Sequence, residues 1–177
     1  MGWEREPLDF WFGLRPEQWW KADEALDEAC RERFQALRED RRGFPPDHFL
    51  TDPEHALAAV ILFDQMPRNM FRGHAEQFAT DPLALAVAKG AVERGLDQAL
   101  SPQERGFLYM PFQHSENMED QRRSLALFTA LGDDFQLEYA RKHHDVIDRF
   151  GRFPHRNAIL GRAPRPAEIE AGDVVPW

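Results

Sequence analysis

Three times in this 177-residue chain a short polar residue stands directly before a proline at the head of a helix-forming run: Asp52-Pro53, Asp81-Pro82 and Ser101-Pro102. Each pair reads as an N-cap followed by the first helical position. The polar side chain accepts from an orphaned amide, and proline brings a preset φ with no amide of its own to satisfy. Strand signals do not compete, since there is no sustained period-2 alternation and no Asn-Gly or Asp-Gly hairpin turn.

Apolar spacing fills in the rest. A helix is predicted from Pro16 to about Glu39, with Trp20, Leu26, Cys30, Phe34 and Leu37 at roughly helical spacing. A second runs from Pro53 to about Gln65 with a stripe of Leu57, Val60, Ile61 and then Asp64. Others run from Asp81 to Arg94, stopped by Gly95, and from Ser101 towards Met110. Asn117–Leu131 is closed by Gly132, and Phe135–Phe150 by Gly151. Arg41–Phe49 is a polar loop, and residues 163–177 form an irregular tail. The prediction is one all-α domain over residues 1–177, with antiparallel neighbouring helices on short loops.

Composition excludes several classes. The chain carries 31 acids against 22 Lys plus Arg, a formal charge of −9, which argues against a dedicated nucleic-acid binder. Its longest fully apolar run, Ala56 to Phe63, has eight residues. A bilayer span needs ~20, so no membrane partner is expected. The acidic, aromatic N-terminus does not resemble a secretory leader, and a cytoplasmic location is the expectation. The lone cysteine, Cys30, forms no intrachain disulfide and sits on an apolar stripe as a core residue. GxGxxG, P-loop, GxSxG, EF-hand and HExxH patterns are absent.

Polar chemistry gathers in three segments. Asp64-Gln65-Met66-Pro67-Arg68-Asn69-Met70-Phe71-Arg72 is echoed by Phe153-Pro154-His155-Arg156-Asn157 and Arg162, the Arg-Asn pairs standing 88 residues apart. Both pass a proline, where the preceding helix must end, and both then offer Arg and Asn. These side chains either clamp orphan carbonyls at a corner or present guanidiniums to a shared cleft. Asp64 shares the apolar face with Val60 and Ile61, so it is either a buried partner of a corner arginine or a general base or ligand. His143 falls in line with Tyr139, Ile147 and Phe150 and faces inward. In the third segment a hydrophobic helix is expected to break at Pro111. His114, Ser115 and Glu116 then either cap the next helix or face the cleft with His143, His155 and Asp64. Of the adjacent Trp19 and Trp20, one is expected in the core and the other at a contact.

Together Phe10-Trp11-Phe12-Gly13, Trp19-Trp20, Asp64-Gln65 with Pro67-Arg68-Asn69 and Phe71-Arg72, Phe78-Ala79 with Asp81, His114-Ser115-Glu116 with Gln121, and Arg149-Phe150-Gly151-Arg152-Phe153-Pro154-His155-Arg156-Asn157 with Leu160-Gly161-Arg162 resemble the bacterial DUF924 family. The likeness covers residues 8–162. It implies an all-α fold grouped with the tetratricopeptide-like α-α superhelices, and it implies no established activity. The resemblance weakens after Arg162, where Ala163-Pro164-Arg165-Pro166 replaces the usual start of a further short helix and Glu168 keeps part of it.

Two functional expectations follow. The first is a polar cleft for a small anionic ligand, with hydrolysis or group transfer as the reaction class. His114 or His143 would do the acid–base work, Glu116 or Asp64 would partner it, and Arg68, Arg152 and Arg156 would hold the anion. Asn69, Arg72, Gln121, His155, Asn157 and Arg162 are further ligand-binding candidates. No metal ligand is assigned; a divalent metal is the one cofactor that the His and Glu set would admit, and its spacing is weak for that purpose. The alternative is a tetratricopeptide-like module binding a peptide, with the motif residues serving as an internal polar network.

Overall fold

The computed structural model describes residues 2–175, and it is all-helical across them. Two of the three helix starts form as predicted. The Asp52 carboxylate accepts from the His55 amide at 3.0 Å, and Ser101 and Glu104 cap each other's amides. The third shifts by one residue. Helix α5 (Asp81–Glu93) has Thr80 at its cap, which leaves the Asp81 carboxylate to receive Arg68.

The chain forms two compact units, Met1–Leu108 and Tyr109–Trp177. The first contains α1 (Arg5–Phe12), α2 (Glu24–Arg41), α3 (Pro53–Val60), α4 (Met66–Met70) and α5. Helix α2 packs on α4, and α3 on α5. Cys30, Phe34, Phe49, Leu57, Ile61 and Phe63 have no exposed surface. Helix α1 is unpredicted, and the single helix expected over residues 16–39 is instead a 3-10 turn at Pro16–Trp19 followed by the separate α2. The break falls at Asp23, whose extended backbone lets its carboxylate cap Ala25 and Leu26. Trp20 precedes the break and lies 52% exposed instead of on the apolar face.

Proline does not end the helix at either place where an ending is expected. Between α3 and α4 the chain makes a π-turn, Ile61–Gln65, in which the Met66 amide reaches the Ile61 carbonyl. This wider turn carries the helix into α4 with Pro67 in its first turn, where a missing amide costs least. The Phe63 carbonyl, which Pro67 cannot serve, accepts from the buried Thr80 hydroxyl at 2.7 Å. Pro111 lies inside α6 (Pro102–His114), so that helix also continues past the expected break.

In the second unit, α7 (Met118–Leu131) and α8 (Asp134–Phe150) form an antiparallel pair joined through Gly132, whose φ of 77° is left-handed. Gly151 closes α8 the same way at φ 70°. Val146, Ile147, Phe150 and Phe153 make a core covered by Met118, Ala171 and Val174. The tail expected to be irregular contains a sixth-turn-length helix, α9 (Pro166–Ala171), fixed by the buried Glu168. Its positions 176 and 177 lie outside the described residues. Among the described residues no helix is long and apolar enough to cross a membrane.

Candidate functional site

In the first unit, α4 presents Arg68, Asn69 and Arg72 one turn apart. Asp64, with no exposed surface, receives the Gln65 amide at 2.6 Å and lies 3.5 Å from Arg68. Arg68 also pairs with both oxygens of Asp81 at 3.0 Å and reaches the Asp64 carbonyl. Burial works against the Arg68 charge, but Asp64 and Asp81 outweigh it and raise its pKa above that of an ordinary guanidinium. Asn69 and Arg72 share the buried Asp27 carboxylate, at 2.8 Å from Asn69 and at 2.7 and 2.8 Å from Arg72. Burial pushes the Asp27 carboxyl up, and Arg72 and Asn69 more than reverse it, so it titrates below its usual range.

These arginines border a cavity of about 90 Å³ lined by Trp11, Trp19, Trp20, Lys21, Gln65, Arg68, Asn69 and Arg72. Three cations and no carboxylate line it, which sets a positive local potential. Trp11 is 2% exposed, and its indole Nε1–H makes no hydrogen bond. Trp19 spends its own indole N–H on the Trp11 carbonyl at 3.0 Å. Arg72 uses Nε and Nη2 on Asp27; its Nη1 and the Lys21 ammonium make no hydrogen bond or ion pair among the described residues. A second cavity of the same unit, about 480 Å³, has the opposite character, with Glu4, Asp52, Glu54 and Glu104 around His55.

In the second unit, the polar residues surround Phe153. Glu116 accepts the Phe153 amide at 2.7 Å and the Arg162 guanidinium at 2.7 and 3.0 Å. Burial raises the Glu116 pKa, and Arg162 with the Phe153 amide brings it below the usual carboxylate range. Asn117, not Ser115 or Glu116, caps α7 through the Glu119 amide. Gln121 donates to the Gln113 and Ser115 carbonyls, stapling the α6–α7 connection. Arg152 grips both oxygens of Glu168 at 2.6 and 2.8 Å, and Asn157 and the Arg165 amide add to the same carboxylate. Arg152 foremost holds Glu168 down to about 2.

His143 donates Nδ1–H to the Tyr139 carbonyl at 2.7 Å, because a carbonyl can only accept, and this leaves the lone pair on Nε2. Burial first, and then the neighbouring His114, push its pKa down to about 3. The His114 and His143 rings lie 6.0 Å apart, and the His143 and His155 rings each lie 5.6 Å from Phe153. Arg156 stacks on Phe153 and donates to the His114 carbonyl at 3.0 Å. Among the described residues, no group of three or more His, Cys, Asp or Glu is arranged to hold a metal ion.

The family described as "bacterial protein of unknown function (DUF924)" matches residues 8–171. The chain belongs to the DUF924 family. A solved structure of a protein of unknown function from Agrobacterium tumefaciens is similar to this DUF924 chain, with 42% identity, 95% of each chain covered and a TM-score of 0.87. No curated protein matches it. The DUF924 match extends through α9, beyond the residues that carried the resemblance in sequence.

The DUF924 chain thus assembles its polar residues in two groups: Asp64, Arg68, Asn69 and Arg72 in the first unit, and His114, Glu116, Gln121, His143, Arg152, His155, Arg156, Asn157 and Arg162 in the second. The echo between the segments survives as chemistry. In each, an Asn amide and an Arg guanidinium hold one buried carboxylate, Asp27 or Glu168. Sequence reasoning passed over Asp27, Asp81 and Glu168 as partners, and Trp11 and Lys21 as cavity walls. For Asp27 a signal exists: it lies beside Leu26 and three residues before Cys30, a carboxylate on an apolar stripe just as Asp64 is. Nothing local marks Lys21.

Proposed function

We propose that this protein binds a small anionic ligand in the Trp11–Arg72 cavity of its first unit, by binding without turnover there. The observation that carries this reading is the Trp11 indole N–H, buried and without an acceptor in a wall shared with Arg68, Arg72 and Lys21. An orphaned buried donor costs roughly 1–3 kcal/mol, which an incoming oxyanion would recover. Arg72 Nη1 and Lys21 supply charge, and their carboxylate counterions stand outside the cavity lining. The second-unit arginines are read as a structural network, since Glu116 and Glu168 each neutralise a guanidinium.

The test is titration with acetate and with inorganic phosphate, followed by tryptophan fluorescence and calorimetry. Saturable binding of at least one anion is expected. A Trp11→Phe variant keeps the ring and removes the donor, and should weaken binding about tenfold or more. Equal affinity in W11F, or no binding by either anion, would reject the reading. Saturable cleavage of an ester or phosphoester would instead favour the acid–base alternative.

A further inference from the structure

The cavity is too small to enclose a metabolite. At about 90 Å³ it admits a carboxylate-sized head group, whereas sites that engulf ligands run to roughly 300 Å³ and more. Whatever is attached to the head group must lie at the mouth. Trp20 stands among the lining residues there, 52% exposed in a protein that buries most of its large aromatics. One face of its ring is backed by Phe107, parallel within 6° at 6.0 Å, and Trp19 meets its edge at 6.3 Å. The indole is therefore propped in place, and its other side meets solvent.

Resting on the anion-site reading above, we infer that the ligand class is an aromatic carboxylate, its carboxylate on Trp11 Nε1 and Arg72 and its ring laid on Trp20. A flat π-face gains from a second flat ring, and the Lys21 and Arg72 charges nearby favour an electron-rich ring over a saturated one. A saturated ring of equal size offers the same carboxylate and similar apolar area without that face.

The experiment compares benzoate with cyclohexanecarboxylate by calorimetry on the wild-type chain, on Trp20→Ala and on Trp20→Phe, with thermal melts to verify folding. Benzoate should bind about threefold to tenfold more tightly than cyclohexanecarboxylate. That ratio should fall to about one in W20A and persist in W20F. Equal binding of the two acids by the wild type, or a ratio unchanged in W20A, overturns the aromatic assignment and leaves the anion site standing. Failure of both acids and of acetate removes both readings together.

Discussion

The Arg72 guanidinium meets the Asp27 carboxylate edge to edge, with Nε 2.7 Å from Oδ2 and Nη2 2.8 Å from Oδ1, linking α2 to the residues just past α4. Asn69 adds a third bond to the same carboxylate. Removing the arginine leaves a buried anion with one amide for company. Arg72→Ala should destabilise the protein by about 2 kcal/mol, less than for a fully buried pair because Arg72 stands partly in water. Urea denaturation followed by circular dichroism measures it, and a loss near zero would mean that α4 is held by apolar packing alone.

Glu168 makes α9 pH-sensitive. Its carboxyl is held down to about 2 by Arg152, the Arg165 amide and Asn157, below the value it has in an unfolded chain. Its contribution to stability is therefore present above pH ~4.5 and is lost as pH falls towards 2. Glu168→Gln should lower the melting temperature at neutral pH, and the gap to wild type should close on acidification. Amide exchange should quicken first in residues 166–171. A gap that stays constant from pH 7 to 2.5 would contradict the assignment.

His143 responds over a different window. Its pKa is pushed from the usual ~6.5 down to about 3, so the unfolded chain binds a proton that the folded one refuses. Stability attributable to this residue declines as pH falls from 6.5 towards 3. Nitrogen-15 spectra should show a neutral Nδ1–H tautomer at pH 5, and a ring already half protonated at pH 6 would contradict the buried placement.

Cys30 should be inert. It has no exposed surface, and burial, with Asp27 adding, pushes its thiol up to about 12. A disulfide-exchange reagent should modify it only at the rate of unfolding and immediately in denaturant. Fast modification of the native protein would show that α2 opens locally.

Much of the architecture was legible from residues one turn apart. Asp52 before Pro53 and Gly132 and Gly151 after their helices are local devices, and each works without help from distant chain. Asp64 was legible as a buried carboxylate because helical periodicity places it beside Ile61. Pro67 and Pro111 misled because a proline's penalty is local, whereas its relief comes from elsewhere, as with the Thr80 hydroxyl on the Phe63 carbonyl. The short helix α9 depends on Glu168 meeting Arg152, 16 residues away, which no propensity encodes. The cavity brings together Trp11, Lys21 and Arg72 from three separate segments, and only their resemblance to a family hinted that they belong together.

The wide turn at Ile61–Gln65 fixes the azimuth of everything on α4. Shortening it by one residue would restore ordinary winding and swing each following side chain by about 100° around the axis. Arg68 and Arg72 would then turn away from Asp81 and Asp27 and leave both acids stranded. A single-codon deletion there would do more harm than most substitutions on the same helix, because it misaligns all of its contacts at once.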